Sequence, residues 1–271
     1  MPARRTDTRR WSHERLEQEG PGVTLTRDEA ATVALRELDG FTARLGELDP
    51  TGWRRPTRCA GWDVTALARH VAGAAWQQAE AFHRARQDIT EPPSVVGVSH
   101  EPDGLVAALA RSRGHLEQGL SRLAGDRDPT VPLPFATLPA SVATLVLVIE
   151  YGFHLNDLEW ALGEETELRT DVAQTMVELL GIWLPSLQGD EPDGPVGYRL
   201  AGDGGVVTDL AWREGQWQVG QDAGPDTCEV TGSDSAVALF SMGRIGADHP
   251  WVTSRDPAGV AGRFKDFFPG P

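Results

Sequence analysis

The segment VIEYGFHLNDLEWALG, residues 148–163, sets three ionisable groups inside a run that is otherwise largely apolar. Glu150, His154 and Asp157 are spaced i, i+4 and i+7. In a helix this spacing keeps them within an arc of roughly 60°, because each residue turns the helix by about 100°. A buried charge is costly unless it is paired or binds a metal. The segment therefore predicts a buried helix whose ionisable groups are paired with other charged groups or bind a metal ion.

A second predicted helix, residues 64–86, carries a histidine on its apolar face. His70 lies in the stripe formed with Leu67, Val71 and Ala74, which would turn inward. A lone inward histidine is most often a hydrogen-bonded core residue, and most Glu-x-x-x-His pairs are surface pairs worth a few tenths of a kcal/mol. Each feature alone is therefore weak evidence for a site.

The two helices together favour a metal site. Helical bundles build such sites from facing helices, and one divalent cation held by His70, Glu150 and His154 would satisfy all three groups. Two imidazoles and one carboxylate with open positions are typical of a catalytic site, and they suit zinc or iron(II). Asp157 could bond the second ring nitrogen of His154 and fix its tautomer.

The remaining pattern predicts a mainly α protein of two domains. The N-terminal residues 1–22 are rich in arginine and lack the apolar segment of a secretory signal, so we expect a flexible arm there. A four-helix bundle with a fifth helix packed against it is expected over residues 23–188, and a small α+β domain over 189–271, where the hydrophobic period shifts toward two. Helices are expected at 26–47, 64–86, 102–124, about 139–163, 171–187, 234–246 and 256–268.

Composition restricts the partners. The net charge of −15 over 271 residues argues against nucleic acid and against an anionic membrane surface. No apolar run reaches the roughly 18 residues of a membrane span, and two distant cysteines, Cys59 and Cys228, predict a cytoplasmic protein with reduced thiols. Lysine is almost wholly replaced by arginine, with Lys265 the only lysine, which suggests a GC-rich genome.

The segments PTRCAGWDVTALARHVAG, residues 56–73, and EYGFHLNDLEWALG together resemble the mycothiol-dependent maleylpyruvate isomerase family, a branch of the DinB-like metal-binding bundles. The matching positions are Pro56, Thr57, Cys59, Gly61, Trp62, His70, Glu150, His154, Asp157 and Gly163. The resemblance implies a divalent metal ion, zinc before others, bound by the histidine–glutamate–histidine triad. It also implies that the metal activates a low-molecular-weight thiol, typically mycothiol.

Several residues near these motifs have two interpretations. Arg244 matches a Gly-Arg of the family and could bind a substrate carboxylate, or form a surface salt bridge. Cys59 could be a nucleophile or fourth ligand, although a packed structural role is favoured. Trp62 could line the pocket mouth. His83 and His115 are expected to be solvated.

The resulting hypothesis is an enzyme that uses a metal and a thiol to isomerise or S-conjugate a small electrophile, as a monomer or homodimer. One alternative is a thiol-independent metal enzyme, such as a lyase, cyclase or hydrolase. The other is a non-catalytic metal- or ligand-binding regulatory module with a closed site.

Overall fold

The fold is seen in a computed structural model that describes residues 25–94, 97–99, 101–123, 128–187, 189–221 and 224–270. The predicted arm, residues 1–22, lies outside the described residues, and so does position 188 at the predicted domain boundary. The two domain boundaries therefore stay predictions.

Four long helices form the N-terminal bundle, and each begins and ends within a few residues of its predicted position. Thr26 and Glu29 form a capping box at the start of the first helix, and Asp63 caps the second by accepting from the Ala66 N–H. The first helix packs against the fourth, and the second against the third. The helices are α1 Arg27–Gly46, α2 Val64–Ala85, α3 Pro102–Ser121 and α4 Ala140–Ala161.

Helix α4 is the central element of the molecule. It is apolar on nearly all sides and most of its residues are buried, as expected for a helix surrounded by other elements. Helix α5, Thr170–Trp183, covers one side of it. Gly152 permits this close approach, because a Cβ there would lie 2.4 Å from Cγ1 of Val172.

The proline-rich connection before α4 contains two short paired strands. Strands β1, Thr130–Pro132, and β2, Thr137–Pro139, pair antiparallel, with Val131 opposite Leu138. Both of these side chains are buried, so apolar contact with the bundle stabilises the strand pairing. The prolines of this segment are unfavourable for strands, so the pairing was not evident from the sequence.

The C-terminal domain contains a five-stranded sheet with the order β5-β4-β3-β6-β7. Strands β3 and β6 are parallel, and all other neighbours are antiparallel. The turn between β4 and β5 lies at Glu214 and Gly215, both at positive φ as a two-residue hairpin requires. The strands are β3 Gly197–Gly202, β4 Val207–Arg213, β5 Gln216–Val219, β6 Cys228–Gly232 and β7 Val252–Arg255.

The helices of this domain are shorter than predicted. Helix α6, Asp234–Ser241, ends before Gly243, which adopts φ +70° and turns the chain, so the predicted end at residue 246 is wrong. The last predicted helix is reduced to α7, Phe264–Phe267, and β7 was not predicted. Helix α6 packs against α5 and thereby joins the C-terminal α+β region to the helical part of the chain.

The predicted fold class is confirmed: a mainly α chain with an N-terminal helical bundle and a small C-terminal α+β region. Among the described helices, no segment has the length and apolar character needed to cross a membrane.

Candidate metal centre

Helices α2 and α4 bring the three predicted ligands together. His70 comes from α2, and Glu150 and His154 come from successive turns of α4. Oε1 of Glu150 lies 3.0 Å from Nε2 of His70 and 3.7 Å from Nε2 of His154. All three ligand atoms lie within 4.8 Å of one another. One ion could therefore contact two imidazole nitrogens and one carboxylate oxygen.

The electrostatics of this triad favour ionised Glu150. Burial works to raise its pKa, but the charge of His154 and the hydrogen bond from His70 lower it overall. Burial works against the protonated form of His70, but the bond to Glu150 raises the pKa of His70 overall. His154 is buried, whereas His70 and Glu150 are partly exposed, so the triad has one side toward solvent.

Asp157 holds the other nitrogen of His154. Nδ1 of His154 lies 3.2 Å from Oδ2 of Asp157, whose side chain is fully buried. A carboxylate can only accept here, so Nδ1–H of His154 donates to Asp157, and Nε2 is the ring nitrogen on the side of Glu150. This is the orientation that a histidine needs in order to bind a metal through Nε2.

Arg244 reaches the same carboxylate from the C-terminal domain. Its Nε donates to Oδ1 of Asp157 at 2.9 Å and its Nη2 donates to Oδ2 at 3.0 Å, which makes a bidentate pair. Burial works to raise the pKa of Asp157, but the bond from His154 and the charge of Arg244 lower it to about 2. Arg244 is 9% exposed, so a surface salt bridge does not describe it. Its predicted contact with a substrate carboxylate is not tested by this geometry.

Cys59 also contacts Asp157. Its Sγ lies 3.2 Å from Oδ2 of Asp157 and 3.4 Å from Nη2 of Arg244. Burial, followed by the nearby Asp157 charge, raises the pKa of the Cys59 thiol to about 12. A neutral thiol that donates to a carboxylate is a poor nucleophile, which favours the structural interpretation.

Two further contacts could not be read from spacing alone. The ring of Trp62 lies 4.9 Å from that of His70, which places Trp62 beside the triad. The guanidinium of Arg58 donates to Asn156, and its Nε lies 3.8 Å from Oδ1 of Asp157. Both residues lie in the cysteine-containing loop just ahead of the His70 helix, and this position is what predicted a place for Trp62 at the pocket mouth.

The donor set fits a divalent metal ion. Within the described part of the chain, two groups of potential ligands occur, and they share His154. In the group His70, Glu150 and His154, the carboxylate of Glu150 contacts the two histidine rings that would be ligands beside it. In the other group, Cys59 and His154 are joined with Asp157, whose oxygens already accept from Arg244. The first group is therefore the better cation site.

Comparisons with known proteins agree with this architecture. Residues 34–159 match the family model described as the mycothiol maleylpyruvate isomerase N-terminal domain, which confirms the resemblance seen in the motifs. No curated protein matched the chain.

Two crystal structures are similar over most of the chain. A mycothiol-dependent maleylpyruvate isomerase has a TM-score of 0.61, and a histidine-to-alanine mutant of mycothiol-dependent maleylpyruvate isomerase has a TM-score of 0.62. Each is 20% identical, and each comparison covers 85% of this chain and 93% of the other. At this identity the likeness establishes a shared fold.

Proposed function

We propose that this chain, whose helical domain matches the mycothiol maleylpyruvate isomerase N-terminal domain, is a metal-dependent enzyme that activates a low-molecular-weight thiol of the mycothiol type. The reaction would be isomerisation of a small electrophile or transfer of the thiol sulfur to it. The observation that carries the proposal is the convergence of His70, Glu150 and His154 from two helices onto one point.

The three converging side chains would hold the ion, for which zinc is our first expectation. A bound divalent ion lowers the pKa of a coordinated thiol or water and so supplies a nucleophile at neutral pH. Asp157 would hold Nδ1–H of His154 and so aim Nε2 at the ion, and Arg244 would hold Asp157 in place. In this proposal Arg244 acts first as a positioning residue, and any contact with substrate is additional.

Thiol chemistry accounts for both reactions. When a thiolate adds to an activated carbon–carbon double bond, a C–S bond forms and the double bond becomes a single bond. The adduct can then rotate about this single bond. Elimination of the thiol after rotation gives the trans isomer. With an electrophile that does not eliminate, the addition ends at a thioether, and the enzyme is then an S-transferase.

The proposed partners are small molecules: an electrophilic substrate and a thiol. The net charge of −15 disfavours nucleic acid as a partner. Both cysteines are free and buried, which supports a cytoplasmic location. The assembly would be a monomer or a homodimer.

The direct test measures metal binding and turnover on the same preparations. Wild type, His70→Ala and the control His83→Ala are dialysed against zinc, and metal per chain is measured by elemental analysis. His83 is a partly buried histidine of the same helix outside the triad. We expect about one zinc per chain in wild type and the control, and well below one zinc per chain in His70→Ala, because that variant has lost one of the three protein ligands.

Turnover of maleylpyruvate with and without mycothiol separates the alternatives. We expect activity only with the thiol. Turnover of a substrate without thiol would support the lyase, cyclase or hydrolase alternative. Stoichiometric zinc without turnover would support the regulatory module. Stoichiometric zinc in His70→Ala would contradict the ligand assignment.

A further inference from the structure

One oxygen of the Asp157 carboxylate has an open acceptor position. Oδ2 lies within hydrogen-bonding distance of Nδ1 of His154, Sγ of Cys59 and Nη2 of Arg244. Oδ1, by contrast, accepts one hydrogen bond from the described residues, which comes from Nε of Arg244. A carboxylate oxygen can accept two hydrogen bonds, so Oδ1 can take a second donor.

Arg58 places a buried donor beside this open position. Its side chain is 8% exposed, and its Nε is buried without a hydrogen-bond acceptor in the described part of the chain. This Nε lies 3.8 Å from Oδ1 of Asp157, while Nη2 donates to the side chain of Asn156. Charge-assisted bonds have nitrogen-to-oxygen distances of about 2.7–2.9 Å, so a movement of roughly 1 Å would join Arg58 to Asp157.

The charges of the two arginines are compensated to different degrees. Burial works to lower the pKa of both guanidinium groups. For Arg244, the charge of Asp157 and the bonds to it outweigh burial, and the pKa is raised. For Arg58, burial outweighs the attraction of Asp157, and the pKa is lowered. A direct bond to Asp157 would therefore stabilise the Arg58 cation.

The two arginines also belong to different parts of the chain. Arg244 follows α6 in the C-terminal region, whereas the loop that carries Arg58 is joined to the start of α2 by a bond from the Val64 N–H to the Arg55 carbonyl. A movement of the C-terminal region, or a ligand carboxylate that binds Arg244, would take one cation from Asp157 and leave the other in place.

We propose that Arg58 is a second positioning residue of the metal centre, which takes over the Asp157 carboxylate when Arg244 leaves it. Asp157 then keeps a paired charge and continues to accept from Nδ1–H of His154, so Nε2 stays aimed at the metal position. The effect on metal binding rests on the proposed function. The exchange of arginine partners needs no bound metal.

NMR of the metal-free protein detects the exchange directly. The Nε–H signal of Arg58 is identified by its loss in Arg58→Met, and it is then compared between wild type and Arg244→Met. We expect it to move downfield in Arg244→Met, because the donor has gained a carboxylate acceptor. The control Arg113→Met, which removes an exposed partner of Asp39, should leave the signal in place. An unmoved Arg58 signal in Arg244→Met would overturn the proposal.

A double-mutant cycle on zinc affinity tests the consequence for the metal centre. Each of Arg58→Met and Arg244→Met keeps one arginine beside Asp157, so we expect a zinc Kd within about threefold of wild type, measured by chelator competition. The double variant should bind zinc about 10- to 100-fold more weakly, because the carboxylate that orients a ligand has lost both partners. A double loss equal to the product of the single losses would overturn the proposal.

Two lysine variants separate charge from packing. In the Arg244→Met background, Arg58→Lys keeps a cation beside Asp157 and should recover part of the zinc affinity that Arg58→Met loses. No recovery would assign Arg58 to packing alone and contradict the proposal. If Arg244→Met does not fold, Arg244→Lys replaces it, because an ammonium lacks the fork that contacts both carboxylate oxygens. The downfield shift of Arg58 is then expected in Arg244→Lys, and its absence would overturn the proposal. Failure of wild type to bind zinc would contradict the proposed function, while the NMR result would still decide the exchange.

Discussion

Asp157 is the residue on which the candidate site depends most. It is fully buried and accepts from His154, Cys59 and Arg244. Asp157→Asn keeps the shape but removes the charge, which leaves the Arg244 guanidinium buried without its counterion. We expect a loss of roughly 3–5 kcal/mol in the free energy of unfolding, measured by urea denaturation of the metal-free protein.

The matched control is Asp209→Asn, which breaks the exposed pair with Arg199 and should cost about 0–1 kcal/mol. The same Asp157→Asn protein, if it folds, should bind zinc about 10- to 100-fold more weakly, because the Nδ1–H bond that orients His154 is weakened. Equal losses of unfolding free energy in Asp157→Asn and Asp209→Asn would show that the buried network contributes no more to stability than an exposed ion pair.

At the residue scale, spacing predicted the triad because one helical period places Glu150 and His154 on one face. It also predicted the bond between His154 and Asp157, since i to i+3 neighbours meet on a helix. The pairing of Arg244 with Asp157 could not be predicted, because 87 residues separate the two and the contact depends on how the domains pack. Spacing carries no information about such long-range contacts.

Among the elements, the contact between α4 and α5 is tight beside the site. Gly152 lies between Glu150 and His154 in sequence, and its Cα faces Val172. Gly152→Ala should therefore overpack this contact and cost roughly 1–3 kcal/mol by thermal or urea unfolding. The control Gly46→Ala, at the end of α1, meets nothing within 4 Å and should be neutral or slightly stabilising. A neutral Gly152→Ala would mean that α5 can move away from α4 freely.

The contact between α2 and α3 includes a stack of histidine rings, contrary to the expectation of solvated side chains. The rings of His83 and His115 lie 4.2 Å apart, and that of His115 also stacks on Trp76 at 4.9 Å. Glu80 contacts Nε2 of His115 at 2.6 Å. Burial, then the charge of His115, lowers the pKa of His83 below the ordinary value of 6.5.

This stack predicts a pH-dependent contribution to stability. Because the folded-state pKa of His83 is the lower one, the unfolded chain takes up the proton first as the pH falls. The folded state therefore loses stability as the pH drops through about 6.5 toward the folded-state pKa. Urea unfolding at pH 7.5 and pH 5.5 measures this effect. Between these two pH values, the free energy of unfolding should fall less for His83→Phe than for wild type. An identical pH dependence in both proteins would contradict the assigned shift.

The helices of the bundle were predictable because long amphipathic segments with capping residues specify both type and bounds, as at Thr26 and Asp63. Short elements were not. Strand β7 is mostly exposed, so it lacks the alternation of apolar and polar residues that marks a strand. The end of α6 was missed because the prediction continued the helix through Gly243, whereas this glycine ends it at positive φ and the Arg244 N–H bonds back to the Leu239 carbonyl.

At the scale of the whole molecule, the two domains are linked through the proposed ligand His154. Asp157 connects His154 with Arg244, and α6 ends just before Arg244 while packing against α5. Metal binding to the bundle should therefore also stabilise the C-terminal domain. A ligand present at about 100 times its Kd adds roughly 2.7 kcal/mol to the free energy of unfolding of every part of the protein that unfolds cooperatively with the binding site.

Hydrogen–deuterium exchange with and without zinc tests this link. In wild type, removal of zinc with a chelator should speed exchange in α2 and α4 and also in α6, whose last carbonyls bond the backbone that carries Arg244. In Arg244→Met, whose side chain cannot pair with Asp157, zinc should still protect α2 and α4 but should no longer protect α6. If zinc protects only the bundle in wild type, the buried pair does not couple the domains, and the C-terminal domain must be treated as independent of the metal centre.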